Sequence, residues 1–265
     1  MRTGTSQAPA CGRSTYLPNW SLARISLEES NGDGLMHLTR SKFEATESSG
    51  DVSALLMRPV DADCLLVLGH GAGTGMQHPS METLAVRLAD RRIATFRYQF
   101  PYREHGRGRP DYQPVLLKTV RSAVSAASAL SGRLPLFAGG KSMGGRMTSL
   151  AAVKQPLPAV GGIIFFAFPL HPAQKPGVER AEHLREVGVP LLFLQGTRDK
   201  MAPLDLLEPV CQDLVETATL HVVEGADHSF RVLKRSGRTD DEVQDELADA
   251  TRSWIDGLRV RTRTR

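Results

Sequence analysis

A chain of 265 residues, 41% of them hydrophobic, is long enough to bury one large core, and α/β domains of this size are usually single units. The formal charge of +4 owes much to the closing run RVRTRTR, with Arg259, Arg261, Arg263 and Arg265, and the body is close to neutral. No basic groove with interleaved aromatics recurs elsewhere, which argues against a nucleic-acid partner.

Residues up to about Leu38 are rich in Ser, Gly, Asn and Pro and have no sustained period, so residues 1–38 read as a poorly ordered extension, with Met36 an alternative start. The opening residues lack the apolar stretch of a secretory leader, and a cytoplasmic protein is expected. Cys11 falls in that extension. Cys64 begins an apolar run and Cys211 sits in a helical pattern; the three show no metal spacing and no disulfide framework. Ser41–Ala45 and Val52–Arg58 alternate around a turn at Glu47–Asp51, the pattern of a hairpin. Cys64–Leu68 (CLLVL) is continuously apolar, as a strand buried on both faces must be.

Beyond it the pattern predicts a helix over Met81–Arg91, a strand over Ile93–Tyr98 and a helix over Pro114–Leu130. Then come the strand from Leu136 with its helix, a strand over Gly162–Phe168, and a helical turn over Val178–Val187. A strand over Pro190–Leu194, a helix over Leu204–Val215, a strand over Thr219–Val223 and a terminal helix over Asp241–Leu258 complete the domain. The longest apolar run, Val160–Leu170, is strand-length and far short of the ~20 residues that span a bilayer. Strands alternating with helices predict an α/β domain over 39–258 with a mostly parallel sheet covered on both faces, followed by a basic tail over 259–265.

The most informative stretch is Leu136–Ala152, where a short strand meets Gly140-Lys141-Ser142-Met143-Gly144 and then a helix. Gly-x-Ser-x-Gly between a strand and a helix is the context of a nucleophile elbow. The turn is so tight that the residues two before and two after the serine must be small, and here both are glycine. The same turn aims the Met143 N–H at a developing oxyanion. The motif alone also describes an ordinary glycine-rich turn, so partners must decide.

Functional residues of parallel sheets gather at the carboxyl ends of strands. Asp199 follows the strand Pro190–Leu194 through Gln195-Gly196-Thr197-Arg198, and His228 follows Thr219–Val223 through Glu224-Gly225-Ala226-Asp227. Of the eight histidines, His37 and His105 lie in polar segments and His183 and His221 in helix and strand patterns, which suits them poorly to the role of base. Asp227 is a weaker rival to Asp199. The order Ser142, Asp199, His228, each after its own strand, is that of an α/β-hydrolase triad.

A second oxyanion donor belongs on the loop after Cys64–Leu68, which reads Gly69-His70-Gly71-Ala72-Gly73; the backbone N–H of Ala72 is the candidate. A P-loop is excluded because position 135 is Pro135, and no dinucleotide fingerprint follows the first strand.

With LLVLGHGAGTGMQHP, FRYQFPYREHGRGRPD, GGKSMGGRM, FFAFPLHPAQKP, LFLQGTRDKM and GADHSF, the chain resembles the α/β-hydrolase superfamily, dienelactone-hydrolase-like proteins in particular. Its nearest resemblance is to the branch containing testis-expressed protein 30 and the α/β-hydrolase-like subunit of the NSL histone-acetyltransferase complex. The resemblance spans Val52 to about Leu258. It implies an eight-stranded α/β-hydrolase sheet with Ser142 as nucleophile, Asp199 as acid and His228 as base, and no metal or organic cofactor. Dienelactone hydrolase itself has cysteine as nucleophile, so its substrate does not transfer.

Two segments near the expected mouth supply pocket candidates: Phe100 and Tyr102 from Tyr98–Arg109, and His171 from Phe168–Lys175, with His70 beside the oxyanion loop. His70 suits a structural role better, since His228 already serves as base. The short distance from Phe168 to Pro190 leaves room for only a minimal cap. The expected function is a serine hydrolase that cleaves a carboxylic ester or thioester of a small-molecule acyl substrate; the alternative is a hydrolase-fold interaction protein with little or no catalytic activity.

Overall fold

The computed structural model describes residues 26–31, 36–172, 174–214 and 216–263. The expectations for Cys11 and for residues 1–25 lie outside the described residues. Nine strands form one sheet: β1 Ser26–Asn31, β2 Met36–Thr46, β3 Gly50–Pro59, β4 Cys64–Gly69, β5 Ile93–Tyr98, β6 Leu136–Lys141, β7 Val160–Phe166, β8 Leu191–Gly196 and β9 Ala218–Val223. Their order across the sheet is β1-β2-β3-β5-β4-β6-β7-β8-β9. From β5 to β9 every neighbour is parallel, and β1, β2 and β3 add on antiparallel. Strands β2 to β9 are the eight expected. The edge strand β1 is additional, and it comes from the stretch read as lacking regular structure.

The helices are α1 Pro79–Ala89, α2 Pro101–Glu104, α3 Gln113–Ser131, α4 Met143–Lys154, α5 Leu204–Asp213 and α6 Asp240–Arg263, with a 3-10 helix over Glu179–Glu186. Every residue of β4, β5 and β8 is buried, as their largely apolar sequences suggest, and the polar Thr95, Arg97 and Gln195 are buried with them. On one face, Leu65, Val67 and Phe165 pack with Val120, Ala127 and Met147 from α3 and α4. On the other, Leu66, Leu68 and Ile164 meet Leu84 and Leu88 of α1 and Val243, Leu247 and Ile255 of α6. Each such side chain gains about 1.5–3 kcal/mol on full burial.

Cys64 and Cys211 are free and buried, and burial pushes their thiols up to about 11 and about 12. Helix α6 runs past the expected end at Leu258 to Arg263, and Arg259 donates to the Asp63 carbonyl at 2.6 Å, so the start of the basic tail is helical and docked. No helix of the described residues is long and apolar enough to cross a membrane.

Three glycines let α4 start against the sheet. A Cβ on Gly140 or on Gly144 would collide with the Gly69 carbonyl oxygen, and one on Gly139 with that of Ile164. The backbones of β4, β6 and α4 therefore touch, which fixes the turn at Ser142 relative to the loop after β4.

That loop rests on a buried aromatic plug. His70 donates from Nδ1 to the Gly71 carbonyl at 2.8 Å and accepts the Phe100 N–H at Nε2 at 3.1 Å, so it is held as the neutral ring. Phe100 meets its ring edge-on at 5.0 Å, and the Tyr102 hydroxyl donates to the Ala72 carbonyl at 2.7 Å. The short helix α2, unforeseen in the sequence, turns Tyr102 inward: Asp111 accepts the Tyr102 N–H at 2.7 Å, and Glu104 accepts both the N–H and the hydroxyl of Ser53.

Burial lowers the His70 pKa from 6.5 to about 4. A histidine kept neutral in the fold contributes its full share above the unfolded value. It loses that share as pH falls from about 6.5 towards about 4, and a shift of this size is worth about 3 kcal/mol. Thermal midpoints measured from pH 7 to 4.5 are expected to fall, and less steeply in His70→Asn, which is itself less stable at pH 7. Gly144→Ala is expected to cost about 1–3 kcal/mol or more in denaturant unfolding, because the obstructing neighbour is backbone and cannot rotate away.

Candidate active site

Ser142 stands between β6 and α4 with φ 50° and ψ −114°, a conformation that side-chain-bearing residues rarely adopt. Its N–H donates to the Phe166 carbonyl at 3.0 Å and its own carbonyl accepts from the Arg146 N–H at 3.2 Å, so strand β7 and helix α4 hold it on both sides.

The structure brings the three sequence-predicted residues into one hydrogen-bonded chain. His228 Nε2 lies 2.9 Å from Ser142 Oγ, and His228 Nδ1 lies 2.7 Å from Asp199 Oδ2. The Asp199 side chain is fully buried and the His228 ring is about a quarter exposed. Asp199 accepts the Met201 N–H at Oδ1 (2.8 Å) and the Gln195 side-chain amide at Oδ2 (2.6 Å). Three donors on two oxygens satisfy the buried carboxylate and fix its plane. With Asp199 holding Nδ1–H, His228 Nε2 is free to accept a proton from Ser142.

Asp227, the rival acid, is committed elsewhere. Its Oδ1 accepts the N–H groups of Ser229 and Arg231 at 2.8 and 3.0 Å, shaping the turn that carries His228. His221 pairs with Glu246 at 2.9 Å on β9.

Met143 opens α4, so its N–H has no acceptor one helical turn back. The Ala72 carbonyl is tied down by Tyr102, while its N–H takes part in no backbone hydrogen bond of the turns and loops. Met143 adjoins Gly144 in the chain and Ala72 follows Gly69 by three residues, and a Cβ on Gly69 would meet the Gly144 Cα at 3.2 Å.

Of the four pocket candidates, His70 takes the structural place expected of it, while Phe100, Tyr102 and His171 turn inward instead of lining a mouth. His70, Phe100, Tyr102 and His171 are all buried, the last only 2% exposed. The first three form the plug beneath the β4 loop. His171 donates from Nδ1 to the Pro172 carbonyl at 2.8 Å and through its backbone to the Met201 carbonyl, bracing the loop of Asp199. They support the site from behind, because their apolar rings are worth more in the core than on an open wall.

Two polar residues went unassigned in the sequence. Gln195, fully buried at the end of β8, orients Asp199; its signal was a single amide in the otherwise apolar strand Leu191–Gly196. Lys141, between Gly140 and Ser142, reaches the loop of His228. Among the described residues, no three His, Cys, Asp or Glu side chains are grouped to hold a metal ion.

Among the described residues, segment 167–190 between β7 and β8 holds the 3-10 helix and loops and no cap domain.

A family model described as the alpha/beta hydrolase domain matches residues 62–256. Among solved structures, a dienelactone hydrolase from Anabaena variabilis superposes with a TM-score of 0.60 at 15% identity, over 88% of this chain and 97% of its own. An α-β serine hydrolase homologue from Coxiella burnetii gives 0.60 at 17% identity, over 87% and 98%. A cold-adapted esterase from an Arctic intertidal metagenomic library gives 0.58 at 19% identity, over 84% and 97%. At these identities the structures speak for the fold, and with the matched family model they lead to one conclusion: the chain belongs to the α/β-hydrolase superfamily, with a dienelactone-hydrolase-like fold.

Proposed function

We propose that the protein is a serine hydrolase that cleaves carboxylic esters or thioesters through an acyl-enzyme. The observation that carries this reading is the Asp199–His228–Ser142 hydrogen-bond chain, ending on a serine held at φ 50°.

In the mechanism this supports, Ser142 Oγ attacks the substrate carbonyl carbon while His228 Nε2 takes the hydroxyl proton. The oxyanion of the tetrahedral intermediate accepts from the Met143 and Ala72 N–H groups. The C–O or C–S bond to the leaving group then breaks, and His228 returns the proton to the departing alcohol or thiol. Water, deprotonated by His228, attacks the acyl-enzyme; the acid leaves and Ser142 regains its proton. Throughout, Asp199 keeps the imidazole in the useful tautomer and stabilises its charged form. Esters and thioesters fit better than amides, because their leaving groups demand less of the acid step.

One observation favours the second reading, a hydrolase-fold binding protein. A concavity of about 730 Å3 lies between β9 and α6, and none of its lining residues belongs to the Ser142 site. A partner segment there would use the fold without the chemistry. The two readings separate cleanly in the test.

A fluorophosphonate probe is expected to label the wild type at Ser142 and to leave Ser142→Ala unlabelled, read by intact mass. On a panel of short to long acyl esters, Asp199→Asn is expected to lose roughly 10⁴-fold in kcat, since the wrong imidazole tautomer then faces Ser142. Absence of both labelling and turnover in the wild type would favour the binding reading.

A further inference from the structure

We propose that Lys141 is a positioning residue for His228, tying the loop that carries the base to the strand that carries the nucleophile. This rests on the serine-hydrolase reading. Lys141 is the last residue of β6 and directly precedes Ser142. Its Nζ crosses to the β9 loop, donates to the backbone carbonyl of His228 and lies 4.7 Å from the centroid of the Phe230 ring. One ammonium thus grips the loop on either side of position 229, through a hydrogen bond and a cation–π contact. Its stem runs under the oxyanion loop, where a Cβ on Gly71 would meet Lys141 Cγ at 3.8 Å.

The loop of His228 is fastened to the turn after β8, where the Arg198 N–H donates to the Ala226 carbonyl at 2.9 Å, but that link leads to Asp199 and not to Ser142. Asp199 holds Nδ1 and Ser142 meets Nε2, and both contacts depend on where the backbone sits. That backbone is not at rest in a common conformation: Phe230 has φ 61°. Asp227 closes the local turn, but nothing in that turn ties it to β6. Lys141 supplies the tie, and it does so from the residue adjoining the nucleophile, so the spacing between Ser142 and His228 is set over a short path.

The arrangement is costly for stability. The ammonium has no carboxylate within ion-pair distance, and burial lowers its pKa from 10.5 to about 8 against the opposing pull of Asp199 and Asp227. The charged groups facing it are those two carboxylates and, when protonated, His228; the oxyanion loop presents only Gly71. A residue kept for packing alone would be better apolar.

The test compares the wild type with Lys141→Met and Lys141→Arg on an ester that the wild type turns over, from pH 6 to 10. Thermal midpoints at pH 7 and hydrogen exchange of the segment 226–231 are read in parallel. Wild-type kcat/KM is expected to fall above pH about 8, as Lys141 loses its proton. Lys141→Met is expected to lose about 10- to 100-fold at pH 7, the scale of a misplaced reacting group. It should also lack the alkaline limb, keep a midpoint no lower than wild type, and exchange faster over 226–231. Lys141→Arg should recover most of the activity and also lack the limb.

Wild-type kcat/KM with an unchanged limb in Lys141→Met would overturn the proposal. So would a lowered midpoint in Lys141→Met with no rescue by arginine, which would mark a merely structural lysine. Should the wild type neither turn over nor take the fluorophosphonate label, the hydrolase reading fails separately. The exchange comparison still decides the anchor: faster exchange over 226–231 supports it and unchanged exchange overturns it.

Discussion

Everything at the catalytic end depends on how closely three pieces of backbone approach one another. Gly140 and Gly144 leave no room for a Cβ beside the Gly69 carbonyl, so β4, β6 and the start of α4 lie in direct contact. This contact forces Ser142 into its unusual backbone conformation and brings the loop after β4 level with it. The strain is local and of order 1–3 kcal/mol. It is offset by a sheet whose central strands are buried on both faces, a reserve that a smaller core would lack.

Around that contact the molecule builds support rather than a wide cavity. His70, Phe100 and Tyr102 fill the space beneath the β4 loop, Gln195 and His171 steady Asp199 and its loop, and Lys141 reaches the loop of His228. Apart from Phe100, each supporting group is polar and at least partly buried, and its partner is mostly a backbone atom of a loop. Loops at strand ends have no ladder of their own, so side chains take over that task, Gln195 and Lys141 from the strands and His70, Tyr102 and His171 from neighbouring loops and α2. The plug and the Gln195–Asp199 contact thereby link the core to the chemistry.

The three residues of the candidate triad were legible because each has a local signal: small neighbours around Ser142, and for Asp199 and His228 a place just after an apolar strand. The sheet was legible for a similar reason, since runs such as CLLVLG and LLFLQG have no other stable home. The pocket candidates misled because hydrophobic period tells which face of a strand or helix is buried but not which way a loop side chain turns. Contacts distant in sequence turn Phe100 and Tyr102 inward: Asp111 on the Tyr102 N–H, Glu104 on Ser53, and His70 on the Phe100 N–H. Gln195 and Lys141 were hidden in plain view, as single polar residues in segments assigned to strand and turn. Strand β1 carried no signal because SLEESN has no apolar alternation, and its regularity is borrowed from β2.

That borrowed strand changes what the sheet offers to other molecules. Strand β2 is 11 residues long, and left uncovered it would present a long row of unpaired peptide groups, the usual template for edge-to-edge aggregation. With β1 in place the outermost strand has only 6 residues, and they include Glu28 and Glu29. A short edge offers a second copy of itself few peptide groups to pair with. The segment ahead of the hydrolase domain thus shortens the open edge of the sheet, a consequence separate from anything proposed for Ser142.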